Sequence, residues 1–162
     1  MSGHPRDRFT ADCVRFIDQL NAGMARLPIR FFGTEENRDA IRLAVSKIVK
    51  EFGPDLIFSP SIHETMQDHR ALGEEVVRVI RGRAMILGYE APKHNRFFQP
   101  NVFVELSDAD VAAKIRALNC FSEFTTSYYF EADAIKSLAR VRGLDAGFFG
   151  LCEAFELYRL MD

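Results

Sequence analysis

The sequence predicts a three-layer α/β domain with a mostly parallel sheet. Amphipathic helical segments alternate along the chain with short apolar segments of strand type, which is the order expected of such a domain. Glycine and proline residues separate the segments. The chain has 162 residues, of which 48% are hydrophobic and 27% charged, as in an ordinary globular protein. This length suits a single domain covering residues 1–162.

The first third of the chain is predicted to contain two helices and two extended segments. Apolar residues at helical spacing favour a helix over residues 8–25 and another over residues 34–52. A short strand or extended segment is predicted between them at residues 29–32. Gly53-Pro54 ends the second helix, and an apolar strand follows at residues 55–58.

The next helix is predicted to connect two strands. Thr65 and Asp68 have the spacing of a capping box, so this helix should begin near Thr65 and end at Gly82. A second apolar strand follows at residues 84–87. Because a single helix joins this strand to the strand at 55–58, we expect the two strands to be adjacent and parallel.

The last third of the chain is predicted to form two strands and two helices. A strand at residues 102–106 precedes Ser107, which is expected to cap a helix. A further helix over residues 131–142 should end at Gly143, since glycine commonly terminates helices. Alternating apolar and polar residues at 153–158 indicate a strand at the edge of the sheet.

Composition argues against several classes of partner. A formal net charge of −2 and a pI near 6.1 give no electrostatic reason to expect nucleic acid or an anionic membrane as a partner. The apolar runs are far shorter than a membrane span, and the N-terminus does not resemble a signal peptide. Cys13, Cys120 and Cys152 have no CxxC spacing, which favours a cytoplasmic protein without disulfides or a cysteine zinc site.

The polar loop after the strand at 55–58 is the best candidate for a functional site. It carries His63, and Asp68 and His69 follow in the first helical turn. In open α/β sheets, ligands bind at the carboxyl ends of strands. The helix dipole there disfavours protonation of His69 and keeps a lone pair available for a metal. Asp68 could orient such a histidine or simply cap the helix. Residue chemistry alone favours a partly exposed histidine at a helix start as the interpretation of His69.

The same segment carries a family resemblance. Glu64-Thr65-Met66-Gln67-Asp68-His69-Arg70 resembles the Asp-Thr-His-Gln-Asp-His-Arg motif of the LmbE-like (PIG-L) zinc-dependent N-deacetylases. Further segments resemble later motifs of the family in the same order: Leu87-Gly88-Tyr89-Glu90, Lys114-Ile115-Arg116-Ala117-Leu118, Ala139-Arg140-Val141-Arg142-Gly143 and Glu153-Ala154-Phe155-Glu156. The resemblance covers roughly residues 40–160. It implies a Rossmann-like domain, here lacking the family's usual first strand, and hydrolysis of the amide of an N-acetylated sugar or similar small molecule.

The resemblance also implies roles for individual residues. His69 would be a zinc ligand, and Asp68 beside it would be a catalytic residue. Met66 replaces a histidine that helps to stabilise the charged amide oxygen in the family, and methionine cannot donate a hydrogen bond. His63 is the candidate replacement, as a second catalytic residue, although a loop histidine more often faces water.

The loop after the second predicted strand would flank the substrate cleft. Tyr89, Glu90 and His94 are the candidate substrate-binding residues there. The resemblance implies a small N-acylated sugar or similar amide as the partner. The formation of a homo-oligomer stays open.

The zinc site implied by the resemblance is incomplete in this sequence. The family's other two zinc ligands lie in an N-terminal His-Pro-Asp-Asp motif, for which this chain offers only His4-Pro5-Arg6-Asp7. Arginine cannot act as a base near neutral pH, and no apolar strand precedes His4. We therefore expect little or no zinc binding and impaired deacetylase activity. The alternative is a non-catalytic binding or structural subunit with the same fold.

Overall fold

The computed structural model describes residues 35–82, 84–119 and 127–160. Four helices are present among them: α1 Glu35–Phe52, α2 Gln67–Val79, α3 Asp108–Leu118 and α4 Ala132–Asp145. Four strands accompany them: β1 Leu56–Pro60, β2 Met85–Tyr89, β3 Val102–Leu106 and β4 Leu151–Arg159. A 3₁₀ turn, Tyr128–Phe130, precedes α4. The predicted helix at 8–25, the segment at 29–32 and the motif at 4–7 lie outside these residues.

The strands form one four-stranded sheet in the order β1-β2-β4-β3. β1 and β2 are parallel, with Leu56 opposite Met85 and Pro60 opposite Tyr89. This confirms the predicted pairing of the two strands that α2 connects.

The expectation of a mostly parallel sheet is wrong for the described strands, because the sheet is mostly antiparallel. β4 runs antiparallel to β2, with Leu87 opposite Leu157 and Tyr89 opposite Phe155. β4 also lies between β2 and β3, not at the edge as predicted. The order of elements along a chain does not determine where a late strand inserts into a sheet.

Two compact units can be distinguished, and the prediction of a single domain stays a prediction. One comprises the described residues of 35–104 together with 152–160, and the other comprises 105–119 and 127–151. The core of the first unit joins α2 to β2 through Val76, Ile80, Ala84 and Ile86, and Val45 and Val49 of α1 pack against it. The core of the second contains Val111, Ile135, Ala139 and Leu151.

A polar contact also holds α1 against α2. The Arg38 guanidinium lies 2.7 Å from a carboxylate oxygen of Glu74 and 3.5 Å from one of Glu75, whose side chain is fully buried. Buried carboxylates are retained mainly where a cation or hydrogen-bond donors compensate their charge.

Among the described residues, no helix is long and apolar enough to cross a membrane.

Two predicted helix ends differ from the structure. α2 ends at Val79 and not at Gly82. α4 continues through Gly143 to Asp145, and Gly147, with φ +72°, makes the turn that follows. A Cβ atom on Gly143 would lie 2.2 Å from the carbonyl oxygen of Gly150, so this glycine allows close packing within the helix and does not end it.

Candidate functional site

The loop that follows β1 brings a buried carboxylate to the start of α2. The side chain of Glu64 is fully shielded from solvent, and its Oε2 atom is hydrogen-bonded to Nδ1 of His69. The other carboxylate oxygen, Oε1, is also buried and has no hydrogen-bond partner among the described residues. The Glu64 backbone pairs with Asn95 in an isolated antiparallel bridge. Glu64 is therefore held from both its backbone and its side chain.

His69 lies in the first turn of α2 with its side chain 38% exposed. Since Nδ1 is taken by Glu64, the free ring nitrogen is Nε2, which has no hydrogen bond within the described part of the chain. The ring of His94 stands edge-on to it, with centroids 6.3 Å apart and planes at 73°. A carboxylate on one imidazole nitrogen fixes the ring and leaves the other nitrogen for a metal, a proton or a ligand.

The loop after β2 is fastened to the loop after β1. The backbone N–H and the hydroxyl of Thr65 both donate to the carbonyl oxygen of His94, each at 2.9 Å. Ala91 closes the second loop, because its carbonyl accepts from the N–H groups of His94 and Asn95 at 2.8 and 2.9 Å. These contacts place His94 beside His69.

The predicted capping box at the start of α2 does not form. The helix begins at Gln67, and its N-cap is Met66, which makes no side-chain capping bond. The hydroxyl of Thr65, the expected cap, is hydrogen-bonded across the site to His94 instead. Tertiary contacts have thus replaced a local capping interaction.

The two predicted catalytic residues do not pair with His69 in the described structure. Asp68 is a half-buried acid in the first turn of α2, where the helix dipole favours a negative charge. His63 has an exposed side chain, and its backbone N–H donates to Ser61 Oγ at 3.1 Å. The carboxylate that reaches His69 is Glu64, and the catalytic roles of Asp68 and His63 stay predictions.

The predicted substrate-binding residues follow β2. Tyr89 is the last residue of this strand, Glu90 comes next and is half-buried, and His94 is half-buried beside His69. Burial, and secondly the charge of Glu64, raises the pKa of Tyr89 to about 12. Its phenol therefore keeps its proton at neutral pH and can donate a hydrogen bond to a ligand.

A second buried carboxylate, Glu156, lies behind the same loop, and the sequence does not predict it as a site residue. Glu156 of β4 accepts hydrogen bonds from the hydroxyls of Ser61 (2.6 Å) and Tyr158. Its other oxygen accepts from the backbone N–H of Gln99 at 2.9 Å. Burial, followed by the hydrogen bond to Glu156, raises the pKa of Tyr158 well above its usual range. Glu156 belongs to the segment 153–156 that resembles a family motif, and the resemblance by itself assigns it no role.

The described residues do not by themselves fit a zinc site. Zinc in catalytic sites usually has three protein ligands. Of the residues the structure describes, no group of three or more histidine, cysteine, aspartate or glutamate side chains is arranged to hold a metal ion. His69 contributes one available nitrogen, and its Nδ1 partner Glu64 is engaged. His4 and Asp7 lie outside the described residues.

The sequence matches no protein-family model and no curated protein, whereas the fold matches known structures. N,N′-diacetylchitobiose deacetylase from Pyrococcus horikoshii is 17% identical, with a TM-score of 0.59 over 82% of this chain. GalB, the 4-carboxy-2-hydroxymuconate hydratase from Pseudomonas putida, is 14% identical, with a TM-score of 0.58 over 85%. A conserved protein from Thermus thermophilus is 21% identical, with a TM-score of 0.53 over 73%.

These similarities extend to the fold and not to a specific activity. The aligned part spans 57% of the deacetylase, 64% of the hydratase and 57% of the Thermus protein. At this level of identity, a fold can carry different chemistry in different proteins. The comparisons therefore show a shared fold.

Proposed function

We propose that this chain is an LmbE/PIG-L-like protein that binds an N-acetylated sugar or similar small amide at the carboxyl ends of β1 and β2. The observation that carries the proposal is the Glu64–His69 pair. A buried carboxylate fixes the imidazole and leaves Nε2 without a hydrogen bond in the described structure. The fold similarity to a deacetylase of an N-acetylated sugar supports the choice of ligand class.

The residues around the pair have chemistry that suits an amide ligand. Tyr89 carries a persistent O–H that can donate to an amide or sugar oxygen. The half-exposed ring of His94 borders His69 and can donate or accept, depending on its tautomer. Hydrogen-bond donors directed at an amide oxygen are the groups that stabilise the charge developing there during hydrolysis.

Zinc would supply the activated water for amide hydrolysis in the family that this chain resembles. The described residues do not complete a zinc site. Met66 occupies the position of the family's hydrogen-bond donor and forms no side-chain cap of α2. We therefore propose weak zinc binding and impaired hydrolysis, with sugar binding retained. The alternative is a purely binding or structural subunit. Met66 favours this alternative because methionine cannot donate a hydrogen bond to the amide oxygen.

Binding of N-acetyl-D-glucosamine to the full chain tests the proposal. We expect chemical-shift changes at His69, Tyr89 and His94 in an NMR titration, and a loss of affinity of about tenfold or more in His69→Ala, which corresponds to about 1.4 kcal/mol. Lys136→Ala is the control: this exposed residue of α4 belongs to the other compact unit, and the variant should bind like wild type.

Two measurements on the same protein with added zinc separate an impaired deacetylase from a binding subunit. They are the zinc content and the release of acetate. Sugar binding without acetate release supports the binding subunit. Acetate release with stoichiometric zinc identifies an active deacetylase and shows that the expected impairment is wrong. If the sugar neither binds nor is hydrolysed, the proposed function is wrong.

A further inference from the structure

Glu156 of β4 is connected to the candidate site through the turn at residues 61–64. Its Oε2 accepts the hydroxyl proton of Ser61 at 2.6 Å and that of Tyr158. Glu156 is 4% exposed, and Ser61 is fully buried. Charge-assisted hydrogen bonds of this kind are roughly twice as strong as neutral ones. The carboxylate therefore holds both hydroxyls firmly.

Ser61 in turn determines the shape of the loop that carries Glu64. Its hydroxyl oxygen accepts the backbone N–H of His63 at 3.1 Å, and its carbonyl oxygen accepts the N–H of Glu64 at 3.2 Å. Both contacts lie inside the turn. A shift of Ser61 would thus move the backbone from which the Glu64 side chain reaches His69.

Tyr158 provides a second connection between β4 and the same turn. Its phenol oxygen accepts the backbone N–H of Ile62 at 3.0 Å. The Tyr158 ring lies directly against Gly88, where a Cβ atom would be 2.6 Å from ring atoms. No larger residue fits at Gly88 without moving the ring. The absence of a side chain at Gly88 of β2 therefore allows Tyr158 to reach the turn.

We infer that Glu156 is a positioning residue for the Glu64–His69 pair. It ties β4 to the turn at 61–64 through Ser61 and Tyr158, and to the chain before β3 through the N–H of Gln99. The turn then presents Glu64 to Nδ1 of His69. The importance of this positioning for ligand binding rests on the proposed function. The positioning itself can be measured without a ligand.

The test is the nitrogen-15 NMR spectrum of the His69 ring in Glu156→Ala. The two ring nitrogens report which of them carries the proton and whether it is hydrogen-bonded. In wild type, we expect one fixed tautomer with the proton between Nδ1 and Glu64. In Glu156→Ala, the two signals should move towards each other, as in an imidazole that exchanges between tautomers. Glu156→Gln keeps a side chain that can bond both hydroxyls, and it should restore most of the wild-type pattern.

Asn101→Ala is the matched control, since it removes a contact to the same strand but none to the turn. Asn101 Oδ1 accepts the backbone N–H of Leu157 at 2.7 Å. This variant should lower stability and leave the His69 signals unchanged. If Glu156→Ala leaves them unchanged, or Asn101→Ala moves them equally, the inference is wrong.

Two smaller changes keep the test decisive if Glu156→Ala fails to fold. Ser61→Ala and Tyr158→Phe each remove a hydroxyl that bonds Glu156, and both should move the His69 signals in the same direction. Wild-type signals in both folded variants would overturn the inference. None of these measurements uses a sugar, so a failure of the proposed function would not affect them.

Discussion

Glu64 combines a buried charge with an incomplete set of hydrogen bonds. Its side chain is fully shielded, one oxygen is bonded to His69, and the other has no partner among the described residues. Leaving a buried acceptor unsatisfied costs about 1–3 kcal/mol, and more when it is charged. A buried carboxylate that costs this much free energy is expected where the orientation of a neighbouring residue matters more for function than the stability of the fold.

The cost of burying the Glu64 carboxylate predicts how Glu64→Gln changes stability. The amide oxygen can still accept from His69, and the buried charge is gone. We expect the free energy of unfolding in urea to be unchanged or raised by up to about 2 kcal/mol. Affinity for N-acetyl-D-glucosamine should fall, because a neutral acceptor holds the imidazole less firmly than a carboxylate.

Glu51→Gln provides the comparison, since Glu51 is an exposed residue near the end of α1, 3.9 Å from Lys47. It should change stability by no more than about 0.5 kcal/mol and leave binding unaffected. A large loss of stability in Glu64→Gln would mean that the carboxylate stabilises the fold and contradict this interpretation.

The sequence identified some residues of the site and missed others. His69 and His94 were both singled out, and the structure places their rings 6.3 Å apart. Glu64 belongs to the motif at 64–70, whereas the sequence predicts Asp68 as the carboxylate that orients His69. Adjacent residues on a helix point in different directions, whereas a loop can bring a residue five positions earlier against the ring. Glu156 lies 95 positions from Ser61, and only tertiary structure could connect the two.

At the scale of single elements, local signals located helices and strands well. The strand predicted at 102–106 matches β3. Ser107 caps α3 as expected: its hydroxyl accepts the N–H of Asp110 at 3.2 Å, and the Asp110 carboxylate accepts the N–H of Ser107 at 2.8 Å. A reciprocal box of this kind depends on residues three positions apart, so it can be read from sequence.

The cap gives a prediction for stability. Ser107→Ala should lower the free energy of unfolding by about 1 kcal/mol, because the first turn of α3 loses its side-chain acceptor. Urea denaturation followed by circular dichroism measures the change. Ser137→Ala is the matched control in the middle of α4, where the exposed serine is replaced by a better helix former. It should be neutral or slightly stabilising, and equal losses in the two variants would contradict the role of the cap.

At the scale of the whole molecule, the two tyrosines with raised pKa values make stability depend on alkaline pH. An unfolded tyrosine ionises near pH 10, with a pKa of about 10. In the folded protein, the pKa of Tyr89 is about 12, and burial and Glu156 raise that of Tyr158. Above pH 10, the unfolded chain therefore binds fewer protons than the folded chain. Stability from these groups is complete below about pH 10 and is lost as the pH rises towards 12.

Tyr89→Phe tests this dependence. Its free energy of unfolding should fall less steeply than that of wild type between pH 9 and pH 11.5, because the group that resists ionisation has been removed. Urea midpoints measured at intervals across that range, each compared with the same protein at pH 8, give the two slopes. Equal slopes for variant and wild type would show that Tyr89 titrates alike in the folded and unfolded chains.

Within the described part of the chain, the sequence by itself determined which segments are helices and which are strands, the parallel pairing of β1 with β2 and the position of His69 at the start of α2. These follow from apolar periodicity, capping residues and the short α2 connection, which act over a few residues or one crossover. Only the tertiary structure decided that β4 lies between β2 and β3, that Glu64 holds His69, and that Glu156 anchors the turn beneath them. Each of these depends on which distant segments become neighbours when the core is buried, and that is a property of the whole chain's packing.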